Sequence, residues 1–149
     1  MLLNEICTPD VVYCSADSTA LAAARLMRER HVGDVVVVDE PNGDQTPIGV
    51  VTDRDIVIEV IAKEQDPAKV TVREIMRTPV VVAHATEEVS EAVERMKAHG
   101  VRRIPVMGES QRLVGILCLD DLLKQIVTDA GALVDIVSRE QSREHRTRR

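Results

Sequence analysis

The stretch Gly49-Val50-Val51-Thr52-Asp53-Arg54-Asp55-Ile56 (GVVTDRDI) returns 66 residues later as GILCLDDL at 115–122. Outward from that pair, the likeness continues at an offset of 69. Val11-Val12 returns as Val80-Val81, Ala16 as Ala85, Ala23 as Ala92, Met27 as Met96, Val32 as Val101 and Val37 as Val106. A unit of about 65 residues is therefore present twice, the usual sign that one folding unit has been repeated. Two copies imply two similar lobes related by a pseudo-twofold axis, with related clefts between them. They do not suit an enzyme with one set of catalytic groups, and each copy serves as an internal control for the other.

Each copy reads strand, helix, strand, strand, helix. In the first, residues 11–13 are a short strand and 17–30 a helix capped by Ser15 or Asp17. Residues 34–39 (DVVVVD) are a buried strand, Pro41-Asn42-Gly43-Asp44 a turn, 48–51 a third strand and 53–64 a second helix. The second copy places strands at 80–83, 103–107 and 113–118, a helix at 87–99 closed by Gly100, and a last helix from Leu119. Val89, Ala92, Val93 and Met96 fall on one stripe of the 87–99 helix, with Glu91, Glu94, Arg95 and Lys97 facing out. A short helical lead-in ending at Met76 precedes the second copy. The last helix is expected to continue through Ile126, Val127, Ala130, Leu133, Val134 and Val137, then give way to a charged, partly disordered tail. The corresponding domains are repeat 1 at 5–64, a linker at 65–73, repeat 2 at 74–137 and a basic tail at 138–149.

A chain of 149 residues with 44% apolar composition can bury a normal core. No apolar run approaches the roughly 18–20 residues that span a bilayer. The start, Met1-Leu2-Leu3-Asn4-Glu5, lacks the basic and apolar regions of a signal peptide, so the expected location is the cytoplasm, away from membranes. Cys7, Cys14 and Cys118 form no CxxC pair and are read as free thiols. The net charge of −6 argues against nucleic acid as a partner, although residues 138–149 carry a local +3. Tyr13 is the sole aromatic residue. Base stacking on aromatic rings is thus excluded, and any heterocyclic ligand must be gripped by aliphatic side chains and backbone. His31, His84, His99 and His145 show no metal-ligand spacing, Ser15 and Ser18 lack triad logic, and no metal is expected.

The segment Gly49–Asp55 runs from a strand into a helix, and two readings compete there. In one, Thr52 is an N-cap and Asp55 reaches back to its amide, a capping box that needs no ligand. In the other, the helix start offers amides and positive potential to a phosphate, the Thr52 hydroxyl donates to a phosphate oxygen, and Asp55 accepts both hydroxyls of a ribose. Gly49 would let backbone approach the ligand closely.

The duplicated unit resembles a tandem CBS-domain pair, a Bateman module. The family's adenosine-ligand signature is a glycine, two apolar residues, Thr or Ser, two variable positions and Asp, matched in full by GVVTDRD. The resemblance covers roughly residues 5–128 and extends to EIMRTPVVV at 74–82 and HGVRRIPVM at 99–107. In detail the chain is similar to small stand-alone bacterial two-CBS proteins, the hypoxic response protein group among them. The resemblance implies an α/β (α+β) fold of two pseudo-twofold-related repeats, each a small three-stranded sheet flanked by two helices. It implies a non-catalytic regulatory protein, with no catalytic residue or cofactor. Its ligand would be an adenosine compound (AMP, ADP, ATP, NAD(H) or S-adenosylmethionine), signalled to a regulated partner of unknown identity.

Carried onto this chain, the resemblance gives Asp55 the ribose, Thr52 a phosphate or ribose oxygen, and Gly49, Val50 and Val51 the floor. Pro9, Val11 and Val12, with Gly33, Asp34 and Val35, would flank the base. Arg102 and Arg103, with Arg54 beside the motif, would face phosphates; their bland reading is a set of solvated surface arginines. A weaker second site would comprise Gly115, Cys118, Asp121 and Pro79. There Cys118 replaces the hydroxyl, and a thiol is a weak donor and a poor N-cap. Family members usually pair two modules, and the faces of Ile56, Val57, Val60 and Ile61 and of Leu122, Leu123, Ile126 and Val127 point to a homodimer. The rival to a nucleotide sensor is a ligand-free dimeric scaffold in which Thr52 and Asp55 are only a helix cap. A redox or enzymatic role for the cysteines is disfavoured because no base is placed beside a thiol.

Overall fold

Val35, Val36, Val37 and Val51 are fully buried, and the strands that carry them organise the first of two three-stranded sheets. The computed structural model describes residues 1–40 and 43–148, so Pro41 and Asn42 of the expected turn lie outside the described residues. Sheet one has the order β1 (Tyr13–Ser15), β2 (Asp34–Asp39), β3 (Thr46–Thr52); β1 is parallel and β3 antiparallel to β2. Sheet two repeats the order with β4 (Ala83–His84), β5 (Arg103–Met107) and β6 (Leu113–Cys118). The mixed α/β architecture of two repeated sheets with flanking helices is the one expected.

The fourth strand begins later than expected, at Ala83, after a Val82 carbonyl that accepts from Arg95 Nη1 at 2.8 Å, and the first also begins late because its leading residues are committed elsewhere. The Val11 amide donates to the Pro9 carbonyl, and of the valine pair only the Val12 carbonyl joins β2, accepting from the Val36 amide at 3.0 Å. Helix α2 (Ala20–Arg30) also starts later than the expected 17 and takes neither proposed cap. The Thr19 side chain accepts from the Ala22 amide at 3.0 Å, whereas the Ser15 hydroxyl accepts from the Asp17 amide in the turn before it. Helix α5 (Val89–His99) opens at Glu88 and closes on Gly100 in the left-handed region, at φ 63°. The equivalent closure of α2 uses His31 at φ 54°, a conformation that costs a residue with a Cβ more than it costs glycine.

Two four-residue helices tie the repeats together, α1 (Leu3–Ile6) and α4 (Val72–Ile75). Each belongs by sequence to one copy and packs on the other. The Leu3 and Asn4 amides donate to the Glu87 and Ala85 carbonyls, and 69 residues on, the Val72 and Arg73 amides donate to Ser18 and Ala16. Thr8 then bonds Ile116 of β6 in both directions, while the Arg77 amide donates to the Val50 carbonyl of β3 at 2.9 Å. Val72, fully buried, joins the repeat 1 core beside Ala16, Ala23, Met27, Val35, Val37, Val51 and Ile56. Burying a valine contributes about 1.5–3 kcal/mol, so each copy's lead-in holds the opposite copy together.

Helix α3 (Asp53–Ile56) continues as a π-helical turn, Val57–Ile61. Its apolar residues divide: Ile56 and Val60 belong to the core, which removes them from the expected dimer face, while Val57, Ile58 and Ile61 stay exposed. The residues from Cys118 onward form a compact unit separate from Met1–Leu117. They contain α6 (Leu119–Thr147), which has no buried residue. It runs through the tail expected to be disordered, because residues 138–147 contain no Gly or Pro and are rich in Arg, Glu and Gln, all good helix formers. No helix of the described residues is long and apolar enough to cross a membrane.

Candidate functional site

The end of β3 and the start of α3 form a closed local network. The Thr52 hydroxyl accepts from the Asp55 amide at 3.1 Å, and Asp55 Oδ2 accepts from the Thr52 amide at 2.9 Å. Asp53 donates its amide to the Gly33 carbonyl and accepts from the Arg54 amide through Oδ1. Three amides at the helix start are thus engaged within the protein, which takes up the donors a helix start otherwise leaves free.

Asp55 is 8% exposed, and its second oxygen is occupied as well. Arg77 Nε lies 3.3 Å from Asp55 Oδ1, placed there because the Arg77 backbone is bonded to Val50 on the neighbouring strand. A second carboxylate holds a second arginine. Asp34, opposite Thr52 in the β2–β3 register, has Oδ1 3.1 Å from Arg103 Nε. The contact is an ion pair without hydrogen-bond alignment, since Arg103 Nε has no aligned acceptor. Burial pushes the Asp34 carboxyl above its ordinary value, Arg103 opposes that shift, and the charge of Asp53 adds to it.

In front of these groups is a cavity of about 360 Å³, within the range of small-ligand pockets. Val50, Thr52, Asp53 and Arg54 form one wall, and Arg77, Pro79, Val80, Val81, Gly100, Val101, Arg102 and Arg103 the other. Of the residues expected at a site, Val50, Thr52, Arg54, Arg102 and Arg103 meet here. Pro79, expected at the second site, is here too. Val51 is fully buried in the core behind the cavity, and Asp55 and Asp34 stand behind its arginines rather than on its surface.

Pro9, Val11, Val12, Gly33 and Val35 do not line the cavity. Their places are taken by the equivalent segments of the other copy, 79–81 and 100–103. The exchange of lead-ins is the cause: once Arg77 is bonded to β3, the residues after it arrive at repeat 1. Arg77 and Asp53 were not among the expected site residues; the 69-residue offset, applied across the copies instead of within one, would have found 79–81.

Gly49 makes room for the second copy's lead-in. A Cβ there would lie 2.7 Å from Met76 Sδ and 3.2 Å from the Arg77 carbonyl oxygen. Gly115 does the same on the other side, where a Cβ would lie 2.6 Å from Cys7 Sγ and 3.1 Å from the Thr8 carbonyl oxygen. Burial raises the Cys7 thiol above its ordinary value. Cys118 caps α6 by position, with no capping hydrogen bond from its side chain, and Asp121 lies 4.0 Å from Lys124 Nζ. No group of three or more His, Cys, Asp or Glu among the described residues could hold a metal ion.

Residues 3–62 and 72–128 both match the CBS domain family. The chain belongs to the CBS-domain family. It is 34% identical over 123 residues to hypoxic response protein 1 of Mycobacterium tuberculosis, covering 83% of each chain. A crystal structure of Hypoxic Response Protein I with two coordinated zinc ions shares the fold at a TM-score of 0.71, with 32% identity over 83% of this chain and 98% of that one. An uncharacterized protein of Methanopyrus kandleri is 38% identical over 122 residues; these cover 82% of this chain and 61% of that protein. A CBS-domain pair solved with 5′-methylthioadenosine and S-adenosyl-L-methionine has the same fold at a TM-score of 0.74 and 24% identity, over 87% of this chain and 98% of that one. A CBS pair is a regulatory module, and the present chain carries both repeats of one.

Proposed function

We propose that this CBS pair is a non-catalytic sensor that binds an adenosine-containing ligand in the cleft between its repeats and reports occupancy to a partner protein. Repeat 1 would span 5–64 and repeat 2 74–137, and the protein would act in the cytoplasm as a homodimer. The observation that supports the reading is the cavity itself, which joins an aliphatic wall of Val50, Pro79, Val80, Val81 and Val101 to four arginines. The valines and proline would grip the adenine, as a chain with one aromatic residue requires. Thr52 would meet a ribose or phosphate oxygen. For Asp55 to take the ribose, Arg77 would first have to leave Oδ1. The exposed Val57, Ile58 and Ile61, with Leu123, Ile126 and Val127 of α6, are the apolar surfaces a second copy would cover.

The second reading, a ligand-free scaffold, is favoured by the completed Thr52–Asp55 capping box. Titration calorimetry with AMP and ATP on the parent and on Asp55→Ala separates the two. A ribose ligand requires Asp55→Ala to lose binding. Heat-silent titrations of the parent at millimolar nucleotide would leave the scaffold reading standing.

A further inference from the structure

We infer that α6 pairs antiparallel with α6 of a second copy of this chain; this rests on the homodimer reading above, adds its element and orientation, and needs no ligand. Leu119, Leu123, Ile126, Ala130, Leu133 and Val137 recur at alternating steps of four and three, the spacing by which two helices keep one seam in contact. The seam is about 27 Å long at a rise of about 1.5 Å per residue. Nothing within the chain buries it: α6 has no buried residue, and Leu123, Ile126, Leu133 and Val137 are 51%, 64%, 65% and 54% exposed. Folded chains rarely leave so continuous an apolar stripe to water. The family match ends at residue 128, so Leu133 and Val137 lie outside the CBS domains.

Orientation follows from what flanks the seam and what comes after it. Beyond Val137 the same spacing reaches Glu140 and Glu144. A parallel pair would set each of these acids against its own copy, whereas an antiparallel pair leaves them outside the shared stripe. An antiparallel pair centred on Thr128 brings Leu119 to Val137, Leu123 to Leu133 and Ile126 to the small Ala130, each contact made twice about the twofold axis. Beside the seam it joins Leu122 to Ile136, and Val127 to its own copy. Charge agrees with this orientation. Residues 119–137 hold four Asp against one Lys, and residues 138–148 four Arg against two Glu. Antiparallel pairing brings Arg139 to the Asp120-Asp121 end of the second copy's helix, where parallel pairing would put acid beside acid. The exception is Asp129, which this register places beside its own copy.

The test is sedimentation equilibrium of the full chain across a dilution series. Leu133→Glu should weaken association about a hundredfold or more, since the twofold axis puts two charges into the apolar seam. Thr128→Glu, on the opposite face of the helix, should leave association unchanged. Asp129→Asn should tighten it severalfold by removing the like-charge pair. Orientation is read by oxidative cross-linking of mixed Leu123→Cys and Leu133→Cys chains, with the bonds mapped by peptide mass spectrometry; the expected bond joins position 123 of one chain to position 133 of the other. A bond joining 123 to 123, or Asp129→Asn associating no more tightly than the parent, would overturn the antiparallel pair. Leu133→Glu associating as tightly as the parent, or Thr128→Glu weakening it equally, would overturn α6 as the interface and leave a homodimer through Val57 and Ile61 standing. A parent that stays monomeric at every concentration would overturn both.

Discussion

Replacing Gly49 by alanine tests whether that glycine is a packing device or a ligand floor. The new Cβ would meet Met76 Sδ at 2.7 Å and the Arg77 carbonyl oxygen at 3.2 Å. The thioether can swing aside, but the carbonyl cannot, because the Arg77 amide is bonded to Val50 at 2.9 Å. Overpacking of this kind costs about 1–3 kcal/mol. Restricting the unfolded chain returns about 0.4–1 kcal/mol, so a net loss of about 1–2 kcal/mol is expected, independent of any ligand. For a chain of this size each kcal/mol moves Tm by about 2–4 °C, giving a fall of about 3–6 °C by calorimetry without nucleotide. Gly115→Ala is the matched control and should lose stability in the same way against Cys7 and the Thr8 carbonyl. A Gly49→Ala protein that melts at the parent's temperature, yet binds nucleotide less well, would refute the packing argument.

Three further outcomes follow from the geometry. Cys118→Thr should raise stability by about 1 kcal/mol, because α6 then gains an N-cap hydroxyl where the cysteine supplies no capping bond; an unchanged Tm would mean that the helix start is satisfied otherwise. The raised Asp34 carboxyl favours the folded state when protonated, a contribution present below its ordinary value of 3.8 and lost as pH rises through the higher folded value. Asp34→Asn should therefore gain on the parent in Tm between about pH 4 and pH 7, and a pH-independent difference would contradict the shift. Ile61→Glu, on an exposed apolar face, should shift the proposed homodimer toward the 16.5 kDa monomer in sedimentation, whereas an unchanged species would exclude that face from the proposed interface.

Much of the fold was legible because duplication is a property of the sequence alone. The paired motifs at 49–56 and 115–122 gave the repeat, and the valine runs gave the central strands. What stayed hidden was the exchange of lead-ins. The bonds from Val72 to Ser18 and from Leu3 to Glu87 join residues far apart in the chain, and four-residue helices leave no periodicity to read. That gap explains why the base-flanking walls were expected at Pro9, Val11, Val12 and Gly33, whereas of the second copy's lining residues only Arg102 and Arg103 were expected at this site. It also explains why Arg77, one letter inside EIMRTPVVV, gave no sign of meeting Asp55. The motif itself was read as two alternatives, and the capping box among them is formed, with Arg77 over it. Helix α6 outran its expected end because the apolar stripe stops near Val137 while helix-forming residues continue.

The central claim is that a nucleotide occupies the cleft between repeats, and methyl NMR of valine-labelled protein titrated with ATP tests it most directly. Saturable shifts should appear at Val50, Val80, Val81 and Val101, which line the cavity, while the exposed Val57 and Val134 methyls stay still. Shifts absent from those four valines at saturating ATP, or shifts at Val57 and Val134 alone, would contradict it.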